Sequence, residues 1–122
     1  MKEKITFEYG AMYEGETADG KPHGKGKIIY KKGTVYEGDF INGKYNGKGR
    51  LAYGDETPLA GYMYEGDFLD GKQHGKGKAT FKTRNEYEGD FIKNHFHGRG
   101  KMTYADGRVE EGNWKNGVFD GE

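Results

Sequence analysis

Histidine is the residue type in this 122-residue chain with the clearest potential to bind a metal ion. Three histidines recur in one phrase, "HGKG" or "HGRG", at His23, His74 and His97, and Asn46 stands in another copy. Copies on adjacent β-hairpins would lie roughly 9–10 Å apart, too far to share one zinc ion through bonds of about 2.0–2.1 Å. We expect no metal site and interpret each histidine as a cap on its own turn, with a weak site at His95 and His97 as the alternative.

The glycine- and lysine-rich phrases do not fit a nucleotide site, and no catalytic group stands out. A phosphate-binding loop needs Gly-Lys-Ser/Thr at the start of a helix, whereas these glycines lead into strand-like alternation. The chain has no serine and no cysteine, which excludes those nucleophiles, a disulfide framework and thiolate metal ligands. Every acid has an equivalent in another copy of the phrase, which points to a structural role. The sequence therefore predicts a protein that is not an enzyme and needs no cofactor.

A recurring set of basic residues offers a possible surface for anionic lipid or nucleic acid. However, 20 acidic residues balance 20 basic ones, whereas nucleic-acid binders show a clustered positive excess. Each base is expected to face an acid across the sheet, so we favour a solvated, internally paired face. We expect no nucleic acid partner and keep anionic lipid as the alternative. The basic residues are Lys25, Lys27, Lys48, Arg50, Lys76, Lys78, Arg99 and Lys101, and the acids are Glu14, Glu37, Asp39, Asp67 and Asp90.

The elements that position these residues are strands. In "VYEGDFINGKYNGKGRLAY" at 35–53, Tyr36, Gly38 and Phe40 alternate with acids. In the second arm, at 47–53, glycines and apolar residues alternate with two bases and an alanine. A period of two places successive side chains on opposite faces of a strand, and the Asn-Gly between the two arms is a hairpin turn signal. One face then carries rings and glycines and the other carries charges. We expect the glycines to leave space for rings on the neighbouring strand.

The hairpin phrase is repeated along the whole chain. Tyr-Glu-Gly begins at Tyr13, Tyr36, Tyr64 and Tyr87, and a degenerate copy begins at Glu110. Such a period indicates a repeat array, so we predict an all-β fold with about ten short strands and no helix. It forms one domain with units at about 13–35, 36–63, 64–86 and 87–109, a partial unit at 110–122 and a half unit at 4–12. Glu110 is expected to be an inward-pointing charge on an edge strand.

Two further features concern location and loops. No 18-residue apolar run exists to span a membrane, and "MKEKITFEYG" lacks the apolar core of a signal peptide, so we expect a cytoplasmic protein. An insertion, "GDETPLAGYM" at 54–63, lengthens one link. We favour tolerated drift in a surface loop, with a functional loop whose tip carries Pro58 and Leu59 as the alternative.

The unit "YEGDFxxGKxHGKGKxTY" resembles the MORN (membrane occupation and recognition nexus) repeat over about residues 4–122. The resemblance implies stacked hairpins in an elongated, twisted, half-pipe-shaped antiparallel β-meander, without catalytic activity. It also implies a module that scaffolds, dimerises or holds a partner segment in its groove, and some family members have been linked to phospholipids.

We therefore predict a non-catalytic scaffold that binds an extended or helical segment of another protein along an aromatic-lined groove. The same rings are also expected to pack against each other. The alternatives are a module for anionic phospholipid or membrane surfaces and a self-associating scaffold that forms a homodimer. A carbohydrate-binding array ranks last, because the chain has one Trp. The predicted binding rings are Tyr36, Phe40, Tyr53, Tyr64, Phe68, Phe81, Tyr87, Phe91 and Tyr104.

Overall fold

A computed structural model describes residues 2–121 as one open antiparallel sheet in which eleven strands lie in chain order. The fold is all-β as predicted, with eleven strands rather than about ten. No helix able to span a bilayer occurs among residues 2–121. The strands are β1 (Lys2–Thr6), β2 (Met12–Ala18), β3 (Lys21–Ile29), β4 (Val35–Ile41), β5 (Lys44–Ala52), β6 (Met63–Leu69), β7 (Lys72–Thr80), β8 (Glu86–Ile92), β9 (His95–Thr103), β10 (Val109–Lys115) and β11 (Val118–Gly121).

The hairpin within each unit is closed by a two-residue turn in which both residues have a positive φ. In the β4–β5 turn Asn42 has φ 49° and Gly43 has φ 83°. Two positive φ angles match the twist of the flanking strands, which is why Asn-Gly and Asp-Gly are favoured there. The β8–β9 turn uses Lys93 and Asn94, with φ 46° and 72°. Asparagine, which tolerates the left-handed conformation, takes the place of glycine in that turn.

The Tyr-Glu-Gly-Asp phrase encodes a bulge as well as a strand. In the β4–β5 pair the register shifts between Gly38 and Phe40, and the Tyr36 hydroxyl donates a hydrogen bond of 2.7 Å to the Asp39 carbonyl. The same bond joins Tyr64 to Asp67 at 2.6 Å. The hydroxyl thus pairs a carbonyl that the bulge removes from the ladder, which explains why this position holds tyrosine rather than phenylalanine.

The second-arm glycines provide the space that the sequence predicts. A Cβ atom at Gly49 would lie 2.3 Å from the Tyr36 hydroxyl oxygen and 2.5 Å from a ring carbon. Gly77 stands in the same relation to Tyr64, with distances of 2.3 Å and 2.4 Å. Any larger residue would have to displace a buried ring, so the prediction for these glycines is confirmed.

The core is a row of edge-to-face rings that runs across the repeats. Phe68 contacts Tyr64 of its own unit at 5.0 Å between ring centroids, and Tyr36 of the preceding unit at 5.2 Å. Phe91 repeats this arrangement with Tyr64 at 4.9 Å. Trp114 takes the phenylalanine position in the last unit and is 5% exposed. Because each phenylalanine joins two units, burial of the core depends on the stacking of neighbours.

β11 covers only the end of β10, because it pairs with Asn113, Trp114 and Lys115. Glu110 pairs with Met102 of β9 and lies on the part of β10 that β11 does not reach, so it has the edge position that the sequence predicts. Its carboxylate accepts a hydrogen bond from the Tyr104 hydroxyl. The residue therefore makes a side-chain contact with Tyr104 while it lies on the uncovered part of β10.

Candidate binding groove

The nine predicted binding rings lie at two depths. Tyr53, Phe81 and Tyr104 are half-buried and accessible. The other six are at most 4% exposed and form the core, although Phe68 also lines one of the cavities described below. Their contact role stays a prediction, and their burial was not foreseen, because alternation along a strand gives the face of a residue but not its depth. The six are Tyr36, Phe40, Tyr64, Phe68, Tyr87 and Phe91.

A second layer of half-buried rings covers the core. Tyr45 stacks on Tyr36, with centroids 3.7 Å apart and an interplanar angle of 5°. Phe96 stacks on Tyr87 at 4.1 Å and 13°. The sequence prediction missed Tyr45 and Phe96 because they follow the turn directly. The signal was their common position, one residue after the Lys or His that begins the second arm.

Gln73 interrupts this second layer. It pairs with Phe68 in the register in which Tyr45 pairs with Phe40, yet it carries an amide where that unit carries a ring. The residue is 5% exposed, and its Oε1 atom accepts a 2.8 Å hydrogen bond from the Tyr62 hydroxyl. Its backbone N–H donates to Asn94 Oδ1 at 2.9 Å. A fixed polar group therefore lies between the rings of Tyr45 and Phe96 in a row that begins with Pro22 in the first unit.

The insertion at 54–63 is part of the ring face. Its backbone folds through successive turns, with hydrogen bonds from Thr57 N to Gly54 O at 3.1 Å and from Tyr62 N to Leu59 O at 3.0 Å. The Tyr62 ring lies between Tyr53, at 5.8 Å, and Phe81, at 5.1 Å. Leu59 is 53% exposed. The inserted residues thus add a ring and an accessible apolar side chain to this face.

Two cavities on the ring face meet at Gln73. One of about 520 Å³ is lined by residues that include Tyr30 and Tyr45. The other, of about 710 Å³, is lined by residues that include Tyr62. Both are bounded by Tyr53, Gln73 and Asn94, so they form one surface, which we call the central groove. Volumes of this order are typical of ligand sites.

The charged residues that line the central groove are all lysines: Lys31 and Lys32 in the smaller cavity and Lys82 in the larger. No aspartate or glutamate appears among the described lining residues. Burial raises the pKa of Tyr62 to about 12, and burial together with the hydrogen bond that its hydroxyl donates to Tyr30 raises the pKa of Tyr45. These phenols stay neutral at physiological pH, so the groove is apolar with a positive rim.

The opposite face carries ordered ion pairs, as the sequence predicts. The Lys48 and Lys76 ammonium groups contact Asp67 and Asp90, and Lys25 contacts Asp39. Although burial opposes ionisation of Asp39, the Lys25 ammonium and the N–H of Lys48 hold the pKa of that carboxyl below its usual value. Three of the eight basic residues named above are paired in this way, and Lys78 makes a longer contact of 3.7 Å with Glu86.

That opposite face is not uniformly charged, which corrects the prediction. A row of apolar residues crosses it near the links between units, because cross-strand register joins one to the next. Met12 is 58% exposed and Ile29 is 46% exposed. The sequence prediction missed the row because it lies one residue outside the alternating core of each arm. Its members are Met12, Ile29, Val35, Ala52 and Met63.

The histidines cap turns, but not their own. His23 Nδ1 accepts from the Asn42 N–H at 3.3 Å, and His74 Nδ1 from the Lys93 N–H at 3.3 Å. Each therefore caps the turn of the following hairpin, which corrects the predicted cap. Asn46 does the same with Asp70, at 2.9 Å. Within residues 2–121 no group of three or more His, Cys, Asp or Glu is arranged to hold a metal.

An open meander of tandem hairpins, built on one recurring tyrosine and lined by rings on one face, defines a β-repeat array with a surface suited to binding. A family profile described as the MORN repeat matches residues 13–35, 36–57, 64–86, 87–107 and 111–122. The chain therefore belongs to the MORN-repeat family. Such repeats are typically non-catalytic and are associated with interactions with proteins and membrane phospholipids. No curated protein matches the chain.

Proposed function

We propose that this chain is a cytoplasmic, non-catalytic scaffold that holds a segment of a partner protein in the central groove. The observation that carries the proposal is that the two cavities are adjacent and share Tyr53, Gln73 and Asn94 in their walls. A single surface of this kind suits an elongated occupant better than a compact small molecule.

The chemistry of the lining supports a protein partner. Half-buried rings offer large apolar area and lose little side-chain entropy on binding, which makes aromatics frequent interface anchors. Tyr53, Tyr62 and Phe81 are packed against each other, so the surface is organised before a partner arrives. A preorganised surface spends less free energy on ordering when it binds.

The test compares a groove variant with a variant of the opposite face. Proteins captured from lysate of the source organism are identified on the native chain, on Tyr53→Ala and on Leu69→Ala. Leu69 is 50% exposed and pairs with Lys72 beside the ion pairs. We expect one stoichiometric protein that the native chain and Leu69→Ala retain and that Tyr53→Ala loses while its circular dichroism stays native. Equal retention by all three chains contradicts the proposal.

Anionic phospholipid is a second candidate, because Lys31, Lys32 and Lys82 border the apolar groove. Charge-driven membrane contact weakens as salt increases. Vesicles of phosphatidylcholine with and without phosphatidylserine test it directly, and sedimentation of the chain alone separates both candidates from a homodimer.

A further inference from the structure

The meeting point of the two cavities is polar, and that polarity belongs to one unit of the array. Gln73 lines both cavities, and the second and fourth full hairpins carry Tyr45 and Phe96 at its position. Those rings stack on the core tyrosine beneath them. In the third hairpin the place above Tyr64 has no such second-arm ring, and the two cavities lie side by side there.

The Gln73 amide is fixed at one atom and free at the other. Its Oε1 atom accepts from the Tyr62 hydroxyl, and no acceptor within residues 2–121 takes a hydrogen bond from its Nε2 atom. Among the described residues, every fully buried side-chain nitrogen or oxygen has a hydrogen-bond partner. Because Nε2 has none, this atom is accessible to solvent. An occupant that displaced water from Nε2 without supplying an acceptor would leave a desolvated donor, which is costly.

From this geometry we infer that the central groove takes an extended peptide segment, with a main-chain carbonyl on Gln73 Nε2 and apolar side chains in the cavity on either side. The inference deepens the proposed function and rests on it. A helix uses its interior carbonyls within itself, and a lipid acyl chain has no acceptor. An extended backbone presents a free carbonyl at every second residue on each edge, and its side chains project to both sides.

Charge complementarity defines the ends of the segment. Lys31 and Lys32 border one cavity and Lys82 the other, and no described lining residue is acidic. A segment with acidic residues flanking its apolar centre would meet a lysine at each end. The attraction should weaken with salt, because these lysines lie at an exposed rim.

The first experiment selects random twelve-residue peptides displayed on phage against the whole chain. We expect enriched peptides with apolar residues about two positions apart and Asp or Glu on both sides. The strongest peptide is then synthesised, labelled with fluorescein and titrated against the native chain, Gln73→Leu and Leu69→Gln. Gln73→Leu removes the amide but keeps its bulk and should weaken binding by about fivefold to a hundredfold. Leu69→Gln, on the opposite face, should leave the affinity unchanged.

A nuclear magnetic resonance readout reports on the same atom. Gln73 is the only glutamine of the chain, so selective labelling of glutamine with ¹⁵N makes its side-chain amide give one identifiable pair of signals, which the peptide should shift. If Tyr53→Ala abolishes binding but Gln73→Leu does not and the amide signals stay in place, the inference is wrong and the proposed function stands. If no peptide is enriched, or if Tyr53→Ala leaves peptide binding unchanged, both the inference and the proposed function fail. If phosphatidylserine vesicles bind Gln73→Leu more tightly than the native chain, the occupant of the groove is a lipid tail and the peptide inference is wrong.

Discussion

The packing of each core tyrosine on a glycine is most sharply tested by Gly77→Ala. Gly77 does not have a positive φ among the described glycines, so alanine meets no backbone strain there. The new Cβ would lie 2.3 Å from the Tyr64 hydroxyl oxygen and 2.4 Å from two ring carbons. Tyr64 is 0% exposed, its hydroxyl is bonded to Asp67, and its ring contacts Phe68 and Phe91. The ring therefore has nowhere to move.

The magnitude follows from two opposing effects. Alanine in a strand is favoured over glycine by roughly 0.5–1 kcal/mol, because glycine loses more conformational freedom on folding. Overpacking a well-packed core costs typically about 1–3 kcal/mol, and contacts this short place Gly77→Ala towards the upper end of that range. We expect a net loss of about 1–2 kcal/mol in the free energy of unfolding.

Urea denaturation followed by circular dichroism measures this loss, with Lys78→Ala as the control. Lys78 is the next residue on the same strand, points to the opposite face and makes only an exposed contact of 3.7 Å with Glu86. Its removal should change stability by less than about 1 kcal/mol. Combining Gly77→Ala with Tyr64→Leu should cost less than the sum of the single changes, because the smaller side chain relieves the clash. A Gly77→Ala chain as stable as the native one would refute the ring-on-glycine account.

Two predictions concern pH. Although burial opposes ionisation, the Lys48 ammonium and the Lys76 N–H lower the folded-state pKa of Asp67, so this carboxylate stabilises the fold above about pH 4 and loses that effect as the pH falls through the folded value. Asp67→Asn should therefore flatten the acid limb of a plot of urea midpoint against pH. Burial raises the pKa of Tyr62 and Tyr87 from 10.0 to about 12, so their contribution is full below pH 10 and lost as the pH rises towards 12. Their phenolate absorbance should appear together with the loss of circular dichroism, and phenolate formation in a still-folded chain would contradict the burial.

The elements of the fold could be predicted because each unit carries its own local signals. The alternation around Tyr36 and Phe40 indicates a strand, and Asn42-Gly43 indicates the turn. The opposite-face pairs, such as Lys48 with Asp67, follow from the same alternation. These features depend on neighbours in sequence or on one hairpin partner, so a single copy of the phrase contains the information.

The depth of the rings could not be predicted, because it depends on contacts between units. Tyr64 and Tyr53 belong to the same face, yet Tyr64 is enclosed by phenylalanines of two units whereas Tyr53 lies above the core beside the insertion. No sequence pattern singles out Gln73. Only the stacking of hairpins shows that it opens the ring layer where Tyr62 approaches from outside the repeat.

The central groove, rather than the charged face, is proposed to bind the partner. Backbone amide spectra of the whole chain, recorded with and without the captured partner segment, test this most directly. The account predicts shifts at Tyr53, Tyr62, Phe81 and the Gln73 side chain, with little change at Lys48 and its strand partners on the opposite face. Shifts confined to the opposite face would contradict it.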